Sequence, residues 1–310
     1  MNGIRSKAGL SSKEAVHFVQ EILGIKSMTE KFDDDRAALL DEIISSFQEK
    51  IPFQTVTNVS RPQEDQHLST MDEIKAPIFS CQGGLNCYDL NVFMKCLLEA
   101  IGYDAHLIGC NIGRNVGSHS ATLVHDLTKP GDLHYVDVGV GEPFFQSIPL
   151  NFKKESRLYR SSYLTHKFIR NGESYVWFHE VNARYRPMSA DDTVINGWNR
   201  FMEITLEPRR AQDFHKAVIR HYVTQPNAPQ SFLNSLRCTA YPHRKMVAIN
   251  NQTLLTEDSD GNIHKHRIQS KSELVSLYQK YFPQLPVDKV LAGIDNMAYV
   301  FDMNVSSQSV

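Results

Sequence analysis

From Cys87 to Ile101 one stripe of residues (Cys87, Leu90, Asn91, Met94, Leu97, Leu98 and Ile101) recurs at the i, i+3, i+4, i+7 spacing of a helix with one buried face. Gly83-Gly84 precede the stripe, and Gly102 stands where a helix C-terminus favours glycine. Directly after Gly102 the period becomes two. Residues 103–110, 119–126 and 133–138 read as strands, with Pro130-Gly131 in the turn between the last two. A chain that changes period at one residue is helical on one side and sheet on the other. This segregation predicts an α+β fold.

The flanking sequence extends the pattern. Ser11 and Glu14 are spaced as a capping box ahead of Val16, Val19, Ile22 and Leu23, and Gly24 closes that helix. A second helix is predicted over about 34–49, ending before Pro52, and the polar residues 60–70 read as loop. Strands are expected near 164–170, 174–181 and 201–206, and a helix over about 211–223. A Pro-rich loop at 224–232 follows, then two strands within 236–256 and a final helix from Ser270 to about Phe282. The order is helices, then strands, then a mixed tail. A chain of 310 residues makes two or three packing units.

Composition removes several functions. A net charge of −2 does not favour a nucleic-acid partner. No run approaches the ~20 apolar residues of a membrane span. The five cysteines have no regular spacing, which points to reduced thiols and a cytoplasmic setting. Cys81 and Cys87 have no second cysteine pair, so no metal site is expected. There is no phosphate loop of the GxxxxGK[ST] type. No long exposed apolar stripe calls for a second copy, and a monomer is expected.

A thiol is a weak nucleophile until it loses its proton. A helix N-terminus and a histidine that becomes cationic both promote that loss. Cys87 has the first by position. His119 is expected to open the strand Ser118–Val124 beside a loop containing Gly113 and Gly117, where it can supply the second. Asp137 lies in a run of apolar β-formers, where a carboxylate needs a partner, and a hairpin of 119–126 with 133–138 brings it beside His119. Taken alone, each residue has a plainer reading: a core thiol, a structural imidazole, a turn aspartate. His106, His125 and His134 compete with His119, while Cys96, Cys110 and Cys238 read as inert core thiols. The chain order Cys, His, Asp is that of papain-like thiol enzymes.

These residues also carry a family likeness. Gln82-Gly83-Gly84-Leu85-Asn86-Cys87-Tyr88-Asp89-Leu90-Asn91 resembles the Arg-Gly-Gly-x-Cys-x-x-x-Asn signature of the arylamine N-acetyltransferases. Ile101-Gly102-Tyr103, His119 to Val124, and Val136-Asp137-Val138-Gly139-Val140-Gly141 resemble further motifs in the same order. So do Ile51-Pro52-Phe53-Gln54, Thr205 to Arg209, and Ser231-Phe232, and the likeness spans about 12–300. The resemblance implies a helical bundle (1–102), a β-barrel (103–208) and an α/β lid (209–310). It implies Cys87, His119 and Asp137 as catalytic residues and acetyl-CoA as co-substrate. Acetyl would pass through a cysteine thioester to an arylamine, arylhydroxylamine or hydrazine. It also implies CoA phosphate contacts at the Gly139 and Gly141 amides and at Ser231, with Val140 lining the acceptor pocket.

The chain departs from the family pattern in several places. Leu85-Asn86 stands where the family has one residue, which is expected to displace Cys87. Gln82 and Gln54 replace an arginine and a glutamate, and are expected to hydrogen-bond to each other. Other readings are a transglutaminase-like thiol enzyme and a non-catalytic acyl-CoA-binding homologue.

Overall fold

The computed structural model describes residues 9–65, 67–80, 82–113, 115–181, 193–219 and 235–297. Helix α1 (Ser12–His17) begins with the Ser11–Glu14 capping box and continues as a π-helical turn over Phe18–Ile22. Helix α2 (Met28–Lys50) is longer than the apolar pattern predicts, because two helices join across a kink at Asp35. The Asp35 carboxylate accepts from the Ala37 and Ala38 amides, so a capping contact accompanies the kink. Within 60–70, expected to be loop alone, a 3-10 turn covers Gln63–Asp65. Two short helices were not predicted: α3 (Val56–Val59) and α4 (Met71–Phe79), the latter opened by a Thr70–Glu73 capping box.

Helix α5 (Cys87–Ile101) is the structural centre. Every residue from Cys87 to Met94 is buried, since helices cover one side of α5 while β2 (Asp104–Ile112) and β3 (Asn115–His125) cover the other. Phe93 packs edge-on against Phe18 and Phe79 in the helical layer. The stripe read from sequence is only the strongest line on a helix that is apolar nearly all round.

A nine-stranded antiparallel sheet curls behind α5. Its order starts β5 (Ile148–Pro149), β4 (Leu133–Val136), β3, β2, and continues β10 (Trp198–Arg209), β8 (Ser174–Glu180), β7 (Leu164–Asn171), β6 (Tyr159–Ser161), with β9 (Thr193–Ile195) on β10. His119 is the fifth residue of β3, not its first, and Gly117 lies inside the strand rather than in a loop. β4 stops at Val136, so Asp137 sits just past the ladder.

The tail holds a second sheet. β1 (Phe53–Gln54) pairs with β11 (Arg237–Ala240), followed by β12 (Val247–Asn250), β13 (Thr253–Glu257) and β14 (Ile263–Arg267). Three strands, β11 to β13, thus occupy the region where two were expected, and β14 adds a fourth beyond it. The helix expected over 211–223 is a 3-10 turn, Ala211–Phe214, leading into α6 (His215–Ile219); the rest of that range lies outside the described residues. Helix α7 (Lys271–Tyr281) matches the expected last helix, but α8 (Val287–Asn296) follows it. A separate apolar core joins α7, α8 and the second sheet to Val56 and Val59. Among the described residues, no helix is long and apolar enough to cross a membrane.

Candidate active site

Asn86 is the N-cap of α5. Its side-chain oxygen accepts from the Tyr88 and Asp89 amides at 3.0 and 3.2 Å. The residue counted as an insertion is therefore the cap, and Cys87 begins the first turn behind it. Leu85 is buried, and its carbonyl accepts from the Gln54 amide at 3.0 Å. The extra length is taken up in packing and capping.

The glycine pair ahead of the cap is sterically obligatory at one position. A Cβ on Gly84 would lie 1.8 Å from the Pro52 carbonyl oxygen. Gln54 is buried, and its amide nitrogen donates to the Gly84 carbonyl and, at 2.7 Å, to Thr57 Oγ1. Gln82 is exposed and its side chain is not part of this group, so the expected Gln54–Gln82 bond does not form.

His119 and Asp137 meet with His119 Nε2 2.7 Å from Asp137 Oδ2. Both are essentially excluded from solvent, at 2 % and 0 % exposure. Since Nε2 faces Asp137, the hydrogen bond between His119 and Cys87 falls to the other ring nitrogen, Nδ1. The Asp137 carboxylate accepts three more bonds: Tyr135 Oη donates to Oδ2 at 2.7 Å, and Asn91 Nδ2 and the Gly139 amide donate to Oδ1 at 3.0 Å each. Four donors offset the desolvation that a buried carboxylate would otherwise suffer. Burial opposes a charge on His119, but the Asp137 carboxylate and the Cys87 sulfur outweigh it. They hold the imidazole pKa up at about 10.

Gly139 packs against the first turn of α5: a Cβ there would fall 2.6 Å from the Cys87 carbonyl oxygen and 2.7 Å from Asn91 Nδ2. Its amide, expected to meet a CoA phosphate, donates to Asp137 instead. Gly141 adopts φ +79°, and its carbonyl accepts from Tyr241 Oη at 2.7 Å. Val140 is partly buried on the main apolar core. Ser231 and Cys81 lie outside the described residues.

The competing histidines have other partners. His106 pairs with Asp104 at 2.9 Å and stacks edge-on with His125, while His134 lies between Asp132 and Ser147 at 3.3 and 3.5 Å. Cys96, Cys110 and Cys238 are buried, and burial pushes each thiol pKa up. Sequence reading missed Tyr135. The signal was available, because a residue two before Asp137 along an extended chain points to the same side.

The family model for N-acetyltransferases matches residues 37–290. The fold is similar to the arylamine N-acetyltransferase of Mycobacterium abscessus, at 15 % identity and TM-score 0.74, covering 96 % of this chain and 99 % of that one. It is also similar to the M. smegmatis arylamine N-acetyltransferase, at 18 % identity, TM-score 0.65, and 85 % and 90 % coverage. A third likeness is to the M. marinum arylamine N-acetyltransferase in complex with CoA, at 14 % identity, TM-score 0.66, and 91 % and 97 % coverage. No curated protein matches the chain by sequence. With most of its length matched by the family model, and with the curled sheet and helices of these structures, the chain belongs to the arylamine N-acetyltransferase family.

Proposed function

We propose that the chain transfers an acetyl group from acetyl-CoA, through a thioester on Cys87, to an arylamine, arylhydroxylamine or hydrazine. The observation that carries the reading is the enclosed 2.7 Å contact of His119 with Asp137, with the other imidazole nitrogen turned to Cys87. In the first half-reaction His119 already holds the proton of the pair as an imidazolium, and the Cys87 sulfur attacks the thioester carbonyl. The C–S bond to CoA breaks, and the CoA sulfur leaves with the proton from the imidazolium. In the second, the amine nitrogen attacks the Cys87 thioester. The amine proton passes to His119, restoring the imidazolium, and the amide departs. Asp137 fixes the imidazole tautomer and stabilises its cation. A thioester donor suits a sulfur nucleophile, because the two bonds are of similar energy and one hard step becomes two easier ones.

A relative of this fold has been seen in complex with CoA, which supports the choice of donor. Gly141 and Ser231 are our candidates for the CoA phosphates, and Val140 for the acceptor pocket. Gly139 is better read as a packing residue. We take 1–102, 103–208 and 209–310 as the nucleophile-bearing, His/Asp-bearing and covering segments.

Intact-protein mass spectrometry with acetyl-CoA and no acceptor tests the reading. One acetyl group should appear on Cys87, and aniline-type or hydrazine acceptors should then remove it. An unmodified protein, or acetyl groups only on lysines, would overturn it.

A further inference from the structure

The N-terminal turn of α5 carries a second polar group beside the triad. The two ends of the Asn86 side chain do different work. Its oxygen caps the Tyr88 and Asp89 amides, while its nitrogen donates to Asp89 Oδ2 at 2.7 Å. Cys87 lies between the two ends of this closed loop of bonds. A serine cap would satisfy the helix equally well but would have no amide to hold Asp89. The cap is thus more than helix chemistry requires.

Asp89 is 1 % exposed, and its carboxylate has no ion pair among the described residues. Besides Asn86, its carboxylate accepts from Ser69 Oγ at 3.3 Å. The charged groups facing it come from one loop and the start of α4: Arg61 favours its charge and Glu73 opposes it, while Glu73 is itself bonded to Arg61 and His67. Tyr88, its neighbour on α5, is held neutral well past pH 7 by burial, with its pKa up at about 12. Asp89 is therefore a carboxyl whose hydrogen-bonding character changes with its protonation. As a carboxylate it accepts strongly from Asn86; as an acid it accepts weakly and offers a proton instead.

We propose that Asn86 and Asp89 are a positioning pair for Cys87, closing the turn that carries the sulfur, and that the state of the Asp89 carboxyl is read out in the reactivity of that cysteine. The inference rests on Cys87 being the nucleophile of the proposed transferase. Burial raises the Asp89 pKa to about 7 against weaker help from Ser69, Arg61 and Asn86, so the carboxyl changes state in the neutral range.

The test compares wild type with Asn86→Ser and Asp89→Asn, the first retaining a capping oxygen and the second the side-chain shape. Two rates are measured across pH: iodoacetamide alkylation of Cys87, followed by peptide mass spectrometry, and single-turnover acetylation by acetyl-CoA. Melting is followed in parallel. The wild-type alkylation profile should show an inflection near pH 7 that Asp89→Asn removes. Acetylation should fall roughly ten- to a hundredfold in Asn86→Ser, as a small misplacement of a nucleophile does, with melting close to wild type. Variants whose melting shifts while both rates and the pH profile stay put would reduce the pair to an ordinary helix cap and overturn the proposal. Alkylation needs no acyl donor. A wild-type protein that shows the inflection but takes no acetyl group would therefore sink the transferase reading and leave the pair standing.

Discussion

The chain buries two imidazoles to nearly the same extent and treats them in opposite ways. His119 is 2 % exposed and His166 is 1 % exposed. His119 has a carboxylate and a sulfur as partners, and its pKa stands at about 10. His166, on β7, is enclosed by Phe144, Tyr159, Phe168 and Trp177, and neither ring nitrogen has a hydrogen-bond partner among the described residues. Burial and the nearby His179 push its pKa down to about 3. Burial amplifies whatever a polar group is given: with partners it supports a charge, without them it forbids one.

Removing the partnered ring should have the largest effect. His119→Leu should abolish acetylation of Cys87 in the mass-spectrometric assay. It should also destabilise the protein by about 3–5 kcal/mol in urea unfolding, since Asp137 loses the cation it faces. The pH dependence has a definite sign. A pKa of about 10 lies above the unfolded value, so the stability from His119 is fully present below about pH 6.5 and is lost as pH rises toward 10. The mutant should lack that alkaline decline.

Asp137→Asn probes the same site more gently. An amide keeps the shape but offers one oxygen to His119, Tyr135, Asn91 and Gly139, and places an NH2 among their donors. Acetyl transfer should fall by about 10³–10⁴ in steady-state rate, while some acyl-enzyme still forms. A loss under tenfold would mean that His119 does not need Asp137 as its orienting partner.

Gln54 gives a third, smaller contrast, outside the Cys87, His119 and Asp137 group but against the loop that leads into α5. Its amide nitrogen donates to the Gly84 carbonyl and Thr57 Oγ1, and its oxygen accepts from the Thr57 amide. Gln54→Glu keeps the acceptor but sets a carboxylate against that carbonyl. Thermal unfolding should register a loss of about 2 kcal/mol.

The sequence was readable where one residue decides its own environment, and less so where the environment comes from afar. The period change at Gly102 and the helical stripe before it are local, and α5 and β2 stand where they predict. Thr70-x-x-Glu73 was equally local, but Pro77 inside α4 hid the helix that follows it. β1 is two residues long and exists only because β11, far along the chain, pairs with it. The Gln54–Gln82 expectation failed for the same reason, because Gly84 turns its carbonyl into the pocket that Gln54 occupies. Asn86 is one residue more than the family motif, and its bonds to the Tyr88 and Asp89 amides, which motif spacing does not show, make it the cap of α5.

His166→Leu is the smallest effect and the one that isolates burial without partners. Unpartnered buried nitrogens weigh against the fold, and leucine fills a similar volume without them. At pH 7 the mutant should be as stable as wild type or up to about 1 kcal/mol more so, with acetylation unchanged. The acid side separates the two proteins further. Because the folded pKa of about 3 lies below the unfolded value, the unfolded chain takes up a proton at His166 as pH falls below about 6.5, while the folded chain does not. Wild type should therefore lose stability toward pH 3 through this residue, and the mutant should not. If urea midpoints at pH 4 and 7 shift equally in both proteins, His166 has a proton partner in solution, and the contrast with His119 is one of degree rather than of kind.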